Sequence, residues 1–312
     1  MHLLFAGLAV GVLAVGGASG AQDYPAKPIT FVVPWPAGGS TDIIGRMVGS
    51  FANKYLGQPV AVVNRVGGVG TIATKTVLNA PKDGYTVLVT TVGNQVLQPV
   101  ARDVGFMPRD FIPIGQISAR TMVLASNKGQ PWSDINGLIA AAKKAPGQIT
   151  FAAAARTLPW RAASAFAKAA GIQLKFVPAK GDGEAVPLAL GGHVHLVSSS
   201  SVNAVISHIK AGTMKPLLVF TAERSEVLPD TPTAKEAGYG VVMVPWTGLA
   251  VAKGTPPEAV EKLRDALAKI VNDKAFKRFA ARSGTSIDYL DGPAFGAVWD
   301  RDYTAYKKAL GK

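Results

Sequence analysis

From Ile29 onward the chain alternates short runs of β-branched residues with longer stretches in which apolar residues recur three or four apart. Ile29–Val33 predicts a strand. Over Thr41–Leu56, Ile43, Met47, Phe51 and Tyr55 at i, i+4 spacing, beside Ile44 and Val48, make one apolar helix face, stopped by Gly57 and Pro59. Val60–Val63 and Tyr85–Thr90 read as further strands, separated by a glycine-rich turn and a short helix through Val77. A helix over Asp134–Lys144 starts from Ser133 as N-cap and ends at Pro146-Gly147. Strands at Ile149–Ala153, Leu174–Val177, Val194–Ser198 and Pro216–Phe220 alternate with helices near Arg161–Ala170, Glu184–Leu190 and Val202–Lys210. A strand at Gly248–Ala252 precedes a long helix from Pro257 to Asn272 with proline at its start, and a last helix is expected around Pro293–Leu310.

This rhythm predicts an α/β fold of βαβ units with mostly parallel sheets. The strands are too many for one sheet of that kind, so two lobes are expected, with crossings near Ile117–Val123 and Val242–Trp246. The first lobe would then take residues 22–120 and 246–312, and the second 121–245. Two such connections form a hinge beside an interlobe cleft, a favoured place for a ligand.

The first 21 residues stand apart. Leu3–Gly17 is a run of apolar and small residues followed by Ala18-Ser19-Gly20-Ala21, the pattern of a secretory signal peptide. It is short for a membrane span, which needs roughly 20 apolar residues. Its start carries His2 but no Lys or Arg, which keeps a retained N-terminal anchor as the alternative. The expectation is a periplasmic protein, exported and soluble.

Composition narrows the function. Hydrophobic residues are 48% of the chain and charged ones 17%, so a disordered protein is excluded. The absence of cysteine rules out thiol catalysis, Cys-ligated zinc and a disulfide framework. A net charge of +13 favours acidic ligands. The basic residues are scattered along predicted helix faces, which speaks against nucleic acid as a partner.

The strongest local signal is Val33-Pro34-Trp35-Pro36-Ala37-Gly38-Gly39-Ser40-Thr41-Asp42, a glycine turn between the first strand and the first helix. Glycines let a backbone approach a ligand, and a helix N-terminus offers unpaired N–H groups. Ser40 or Thr41 can cap this helix, and Asp42 suits its first turn with or without a ligand. The segment therefore reads equally as a carboxylate cradle and as a capped turn. No Lys follows the glycines, so it is not a P-loop, and Gly67-Gly68-Val69-Gly70 lacks dinucleotide spacing. His193 and His195 share a strand face without a third metal ligand, and no nucleophile–base pair is assembled. No catalytic residue, metal or cofactor is expected.

In order along the chain, Tyr24-Pro25-Ala26-Lys27-Pro28-Ile29, the Val33–Asp42 segment, Leu56-Gly57-Gln58-Pro59-Val60, Val63-Asn64-Arg65 and Asp83-Gly84-Tyr85-Thr86 are followed by Ala145-Pro146-Gly147, Leu190-Gly191-Gly192, His208-Ile209-Lys210-Ala211-Gly212, Leu228-Pro229-Asp230-Thr231-Pro232-Thr233 and Gly254-Thr255-Pro256. This series resembles the substrate-binding receptors of tripartite tricarboxylate transporters, the Bug (TctC-like) family. The resemblance implies a type II periplasmic-binding-protein fold with two Rossmann-like lobes and a two-segment hinge. It implies a non-enzymatic, monomeric receptor for a small organic acid, with membrane permease subunits as its partner. Presentation of the ligand to a sensor kinase is the alternative, and an α/β hydrolase a remote one.

The family's carboxylate-holding loop falls on Trp35, Ala37, Gly38, Gly39, Ser40, Thr41 and Asp42, and the turn holding Thr91 and Asn94 should face the cleft. In the second lobe Arg156, Thr157, Trp160, Arg161, Lys180, Ser199 and Ser200 stand at the expected ligand positions. There the chain departs from the family pattern, losing an acid and a tyrosine and gaining two arginines and a tryptophan. That exchange suits a second carboxylate, held bidentately by Arg156 or Arg161, or a ring stacked on Trp160, with Trp35 and Trp246 as further stacking candidates. The alternative for each is plain: the arginines face solvent and Trp160 fills core.

Overall fold

The computed structural model describes residues 24–283, 285–309 and 311. The expected signal segment 1–21 lies outside them. Among the described residues no helix is long and apolar enough to cross a membrane.

Two mixed sheets organise the chain. The first holds β1 (Ile29–Val33), β2 (Val60–Asn64), β3 (Thr86–Thr91), β4 (Phe111–Ala119), β10 (Trp246–Ala252) and β11 (Leu290–Asp291), in the order β11-β4-β10-β3-β1-β2. The second holds β5 (Val123–Asn127), β6 (Thr150–Ala154), β7 (Lys175–Ala179), β8 (Leu196–Ser199) and β9 (Met214–Val219), in the order β7-β6-β8-β5-β9. The expected mostly parallel pairing holds only for β1 with β2 and β3, and for β6 with β7 and β8. β10 runs antiparallel to β3 and β4, and β5 antiparallel to β8 and β9. The cause is where each strand meets the middle of the molecule. β1, β3, β6, β7 and β8 end there, whereas β5 and β10 begin there, each just after a chain crossing. Strands entering from that side can join the sheets only in the reverse direction.

Helices cover both faces of each sheet. On the first, α1 (Ser40–Leu56) lies with the later α8 (Pro257–Asn272) and α9 (Lys274–Arg282), while α2 (Thr71–Asn79), α3 (Gln98–Ala101) and α10 (Gly292–Ala309) take the opposite side. On the second, α4 (Ile135–Lys144) and α5 (Leu158–Ala169) oppose α6 (Asp182–Leu190) and α7 (Ile206–Lys210). In α1 the buried stripe is Ile44, Met47, Val48, Ala52 and Leu56, with Ile43 outside it and 37% exposed. Each of the large residues contributes about 1.5–3 kcal/mol on burial. Gly45 lets this helix settle onto the sheet, because a methyl there would stand 3.2 Å from Val33 and Val89 side-chain carbons.

Three end positions differ from expectation. Helix α4 is capped by Asp134, not Ser133: its carboxylate accepts the Gly137 N–H at 2.8 Å, reaching the third helical amide. Helix α1 has Gly39 at its N-cap, so neither Ser40 nor Thr41 caps it. Helix α5 begins at Leu158, three residues earlier than read, because Pro159 fits a first helical turn.

One apolar core runs through both lobes, including Met122, Phe220, Met243 and Trp246 near the crossings. Trp246 is its anchor on the first sheet. Its ring stacks with Trp299 at 6.2 Å and meets Phe295 edge-on at 4.8 Å, and its Nε1 donates to Asp302 at 2.8 Å. The two crossings are laced together, the Arg120 amide donating to the Pro245 carbonyl at 2.9 Å.

Candidate ligand-binding site

A cavity of about 330 Å³ lies where the strands of both sheets end. Ligand sites in open α/β sheets sit outside such carboxyl ends. From the first sheet it receives Trp35 and Gly39–Thr41 after β1, Val69 after β2, and Thr91–Gly93 at the end of β3. From the second it receives Arg156–Pro159 after β6, Lys180–Asp182 after β7, and Ser200 after β8. Arg120, Pro245 and Trp246 close it at the crossings.

Three helices bring their N-termini to this space. None of α1, α5 and α6 has a side-chain cap. Among the described residues the amides of Ser40, Thr41 and Asp42, of Leu158 and Trp160, and of Asp182 and Gly183 find no protein acceptor. Uncapped first turns offer donors and the positive end of the helix dipole to an anion.

The β1–α1 turn is fixed from behind. The buried Asp42 carboxylate accepts the Gly38 N–H at 2.9 Å, Arg46 Nε at 3.0 Å and Asn64 Nδ2 at 2.8 Å. Burial pushes this carboxyl up, but the hydrogen bonds from Arg46, Gly38 and Asn64 outweigh it and hold its pKa below the ordinary value. A second relay orients Trp35, whose Nε1 donates to Thr91 Oγ1 at 3.4 Å. That hydroxyl donates to Asn94 Oδ1 at 2.7 Å, and Asn94 Nδ2 donates to Thr74 Oγ1 at 2.9 Å. Asn94 is seated against Gly70 (φ +87°), where a methyl would lie 2.7 Å from its Cβ. The two non-glycine residues with left-handed backbone among those described, Val69 (φ 59°) and Arg156 (φ 63°), both line the cavity. Such conformations cost about 1–3 kcal/mol and gather at ligand sites.

Charge in the cavity is one-sided. Arg120, Arg156 and Lys180 line it against a single acid, Asp182. That carboxylate is already engaged, accepting the Ser200 hydroxyl at 2.5 Å and its amide at 3.0 Å. Arg120 is half-buried; Nη1 donates to Ser40 Oγ, while Nε is buried and among the described residues has no hydrogen-bond partner. Burial pushes this guanidinium's pKa down from its ordinary value, with the Asp182 charge opposing. Trp35, Trp246, Val92, Leu97, Leu158 and Pro159 supply apolar wall between the charged ends.

Of the residues expected from sequence, Trp35, Gly39, Ser40, Thr41, Thr91, Arg156, Thr157, Lys180 and Ser200 are brought together at the cavity. Ala37 and Gly38 are exposed in the same turn, outside the lining. Asp42 and Asn94 lie behind the wall as its fastenings. The Ser199 hydroxyl donates to the Ser201 carbonyl, also outside the lining. Trp160 and Arg161 sit on the far side of α5, Trp160 against Phe176. Arg120 and Asp182 were not anticipated. The available signal was a lone arginine inside an expected crossing, and an acid following Lys180-Gly181. His195 accepts the Thr150 amide at 3.1 Å, and among the described residues no group of three metal-ligating side chains forms.

Two mixed α/β sheets meeting over a cavity of free amides and cations define a two-lobed ligand-binding protein. The sequence profile described as "Tripartite tricarboxylate transporter family receptor" (TctC) matches residues 44–293, and the chain belongs to that family. It is 31% identical over 291 residues to Protein BugT of Bordetella pertussis, covering 90% of this chain and 88% of that one. Among solved structures, a TctC solute-binding protein from Polaromonas without ligand is 32% identical, with a TM-score of 0.81 over 92% of this chain and 99% of that one. Rpa4515 of R. palustris, solved with adipate, is 27% identical, with a TM-score of 0.79 over 93% of this chain and 98% of the other.

Proposed function

We propose that this protein is a periplasmic receptor that binds a small dicarboxylate with an apolar spacer in the cleft and presents it, chemically unchanged, to membrane permease subunits of a tripartite tricarboxylate transporter. The observation that carries the reading is the surplus of donors: three uncapped helix N-termini and three cations surround one cavity whose single acid is already hydrogen-bonded. A monoanion would leave that field partly uncompensated, whereas a dianion answers the donors of both lobes. One carboxylate is assigned to the Ser40–Thr41 end beside Arg120, and the other to the α5 and α6 N-termini beside Arg156 and Lys180. The apolar walls between them favour a hydrocarbon or ring spacer, in keeping with the adipate bound by Rpa4515. A cavity of about 150 Å³ holds a benzene ring, and this one is about twice as large.

In this reading residues 22–120 with 246–312 form one lobe and 121–245 the other, and they close about the laced crossings at Arg120 and Pro245. Binding to one closed state shifts the population towards it. The test is a thermal-shift screen of the mature chain with mono-, di- and tricarboxylates, aromatic acids included. A ligand at about 100 times its Kd stabilises by about 2.7 kcal/mol, an effect seen directly as a rise in Tm. Selective, saturable stabilisation by dicarboxylates is expected, with the acid recovered intact. Stabilisation by no acid, or turnover of a bound one, defeats the proposal.

A further inference from the structure

Helix α5 turns Leu158 and Pro159 to the cleft and Trp160 and Arg161 away from it, into a separate cavity of about 210 Å³. Its walls come from both lobes. Helix α5 packs on the second sheet, while α10, which brings Tyr306, packs on the first. Leu97 lines this cavity as well as the cleft, Met243 adds further apolar wall, and Lys168 stands at the rim.

The Ser164 hydroxyl donates to the Trp160 carbonyl at 2.8 Å, and the Arg161 guanidinium lies over the Trp160 ring, 5.6 Å from its centroid. Arg161 Nε is buried without a hydrogen bond, and among the described residues neither Arg161 nor Lys168 forms an ion pair. Tyr306 is only 4% exposed, yet among the described residues its hydroxyl makes no hydrogen bond. Asp302, the acid whose charge acts on Tyr306, is occupied by Trp246 Nε1 and Arg301. Burial, with Asp302 nearby, holds the Tyr306 phenol well above its ordinary pKa, so it stays a donor. The Tyr306 hydroxyl is therefore open to the cavity and free to donate, while the buried Arg161 Nε is the group left unsatisfied. A guanidinium, an ammonium and a phenolic O–H beside Trp160, Leu97 and Met243 form the complement of a carboxylate on an apolar body.

We infer that this interlobe cavity is a second binding site, distinct from the cleft, for a small apolar monocarboxylate. Its volume is somewhat above the 150 Å³ or so that accepts one benzene ring, enough for a single ring or short branched chain bearing one carboxylate. An occupant would touch both lobes and so bear on their closure.

The experiment uses the full mature chain with methyl-labelled methionine and sodium benzoate as probe. The Met243 methyl resonance, assigned with Met243→Leu, reports this cavity directly. It should shift saturably with benzoate, with at least tenfold weaker binding in Arg161→Leu and weaker binding in Tyr306→Phe. In Arg120→Met, which alters the cleft, the Met243 titration should be unchanged. No Met243 shift up to the solubility limit of benzoate overturns the inference. So does a shift that survives Arg161→Leu or disappears in Arg120→Met. Should Arg161→Leu fail to fold, Lys168→Ala at the exposed rim carries the same test, with weaker binding expected and unchanged binding overturning the inference.

Discussion

Arg120 separates binding from folding more cleanly than any other cleft residue. Among the described residues its Nε is buried without a hydrogen bond, and its side chain is tied to exposed Ser40. Replacing it with methionine keeps an apolar stem of similar length beside Pro245 and Trp246. The change loses one charge-assisted hydrogen bond, at most about 1.5–3 kcal/mol, and removes an unsatisfied buried donor that costs about 1–3 kcal/mol. These nearly cancel, so the unfolding free energy without added acid, read from urea midpoints, should change by less than about 1 kcal/mol. With ligand bound there is no such cancellation. Loss of a charged contact of about 1.5–3 kcal/mol raises Kd by about 10- to 100-fold. Calorimetric titration with the tightest acid from the screen measures the second quantity, and denaturant unfolding the first. A variant that binds like wild type, or one destabilised by several kcal/mol, would refute the assignment of this side chain to the ligand.

Two other substitutions test the fastenings behind the wall. Asp42→Asn turns an amide NH₂ towards donors and should cost about 1–3 kcal/mol at neutral pH, read from urea midpoints. Because the folded pKa of Asp42 is depressed, its contribution is complete above the ordinary value of 3.8 and is lost as pH falls through the folded value, so the gap between variant and wild type should narrow only below about pH 4. Gly70→Ala combines φ +87° with a 2.7 Å approach to Asn94, and should cost at least about 1–3 kcal/mol and weaken ligand binding by displacing Thr91 and Trp35; calorimetry showing unchanged affinity would break the relay from Gly70 to Trp35.

Periodicity exposed the β1–α1 unit and most of the strands, because each pairs a clean apolar signature with a glycine or proline stop. It missed β4 as a strand. Phe111–Ala119 contains Pro113, Gly115, Gln116 and Ser118, and its polar residues are buried rather than alternating outward, Gln116 donating to the Asp288 carbonyl. Strand β5 is short, and all five of its residues are buried, which erases any alternation. The turn residues of the cleft were legible from local chemistry and the family resemblance. Arg120 was not, because its importance comes from Ser40, eighty residues away in sequence. The family resemblance sets Trp160 and Arg161 at the ligand with Arg156 and Thr157, but successive helical residues turn by about 100° and these two leave the cleft.

The place of β10 in the first sheet dictates when that lobe can exist at all. It lies between β3 and β4 and pairs with both, yet it is made only after the whole of the second sheet. A chain emerging from its N-terminus therefore holds two unjoined fragments of the first sheet, β1–β2–β3 and β4, until residue 252 is available. The second sheet is contiguous and can assemble earlier, whereas the first waits on contacts of long sequence separation, which are slow to form. Synthesis order and assembly order thus run opposite ways, and the lobe that begins the chain is completed last.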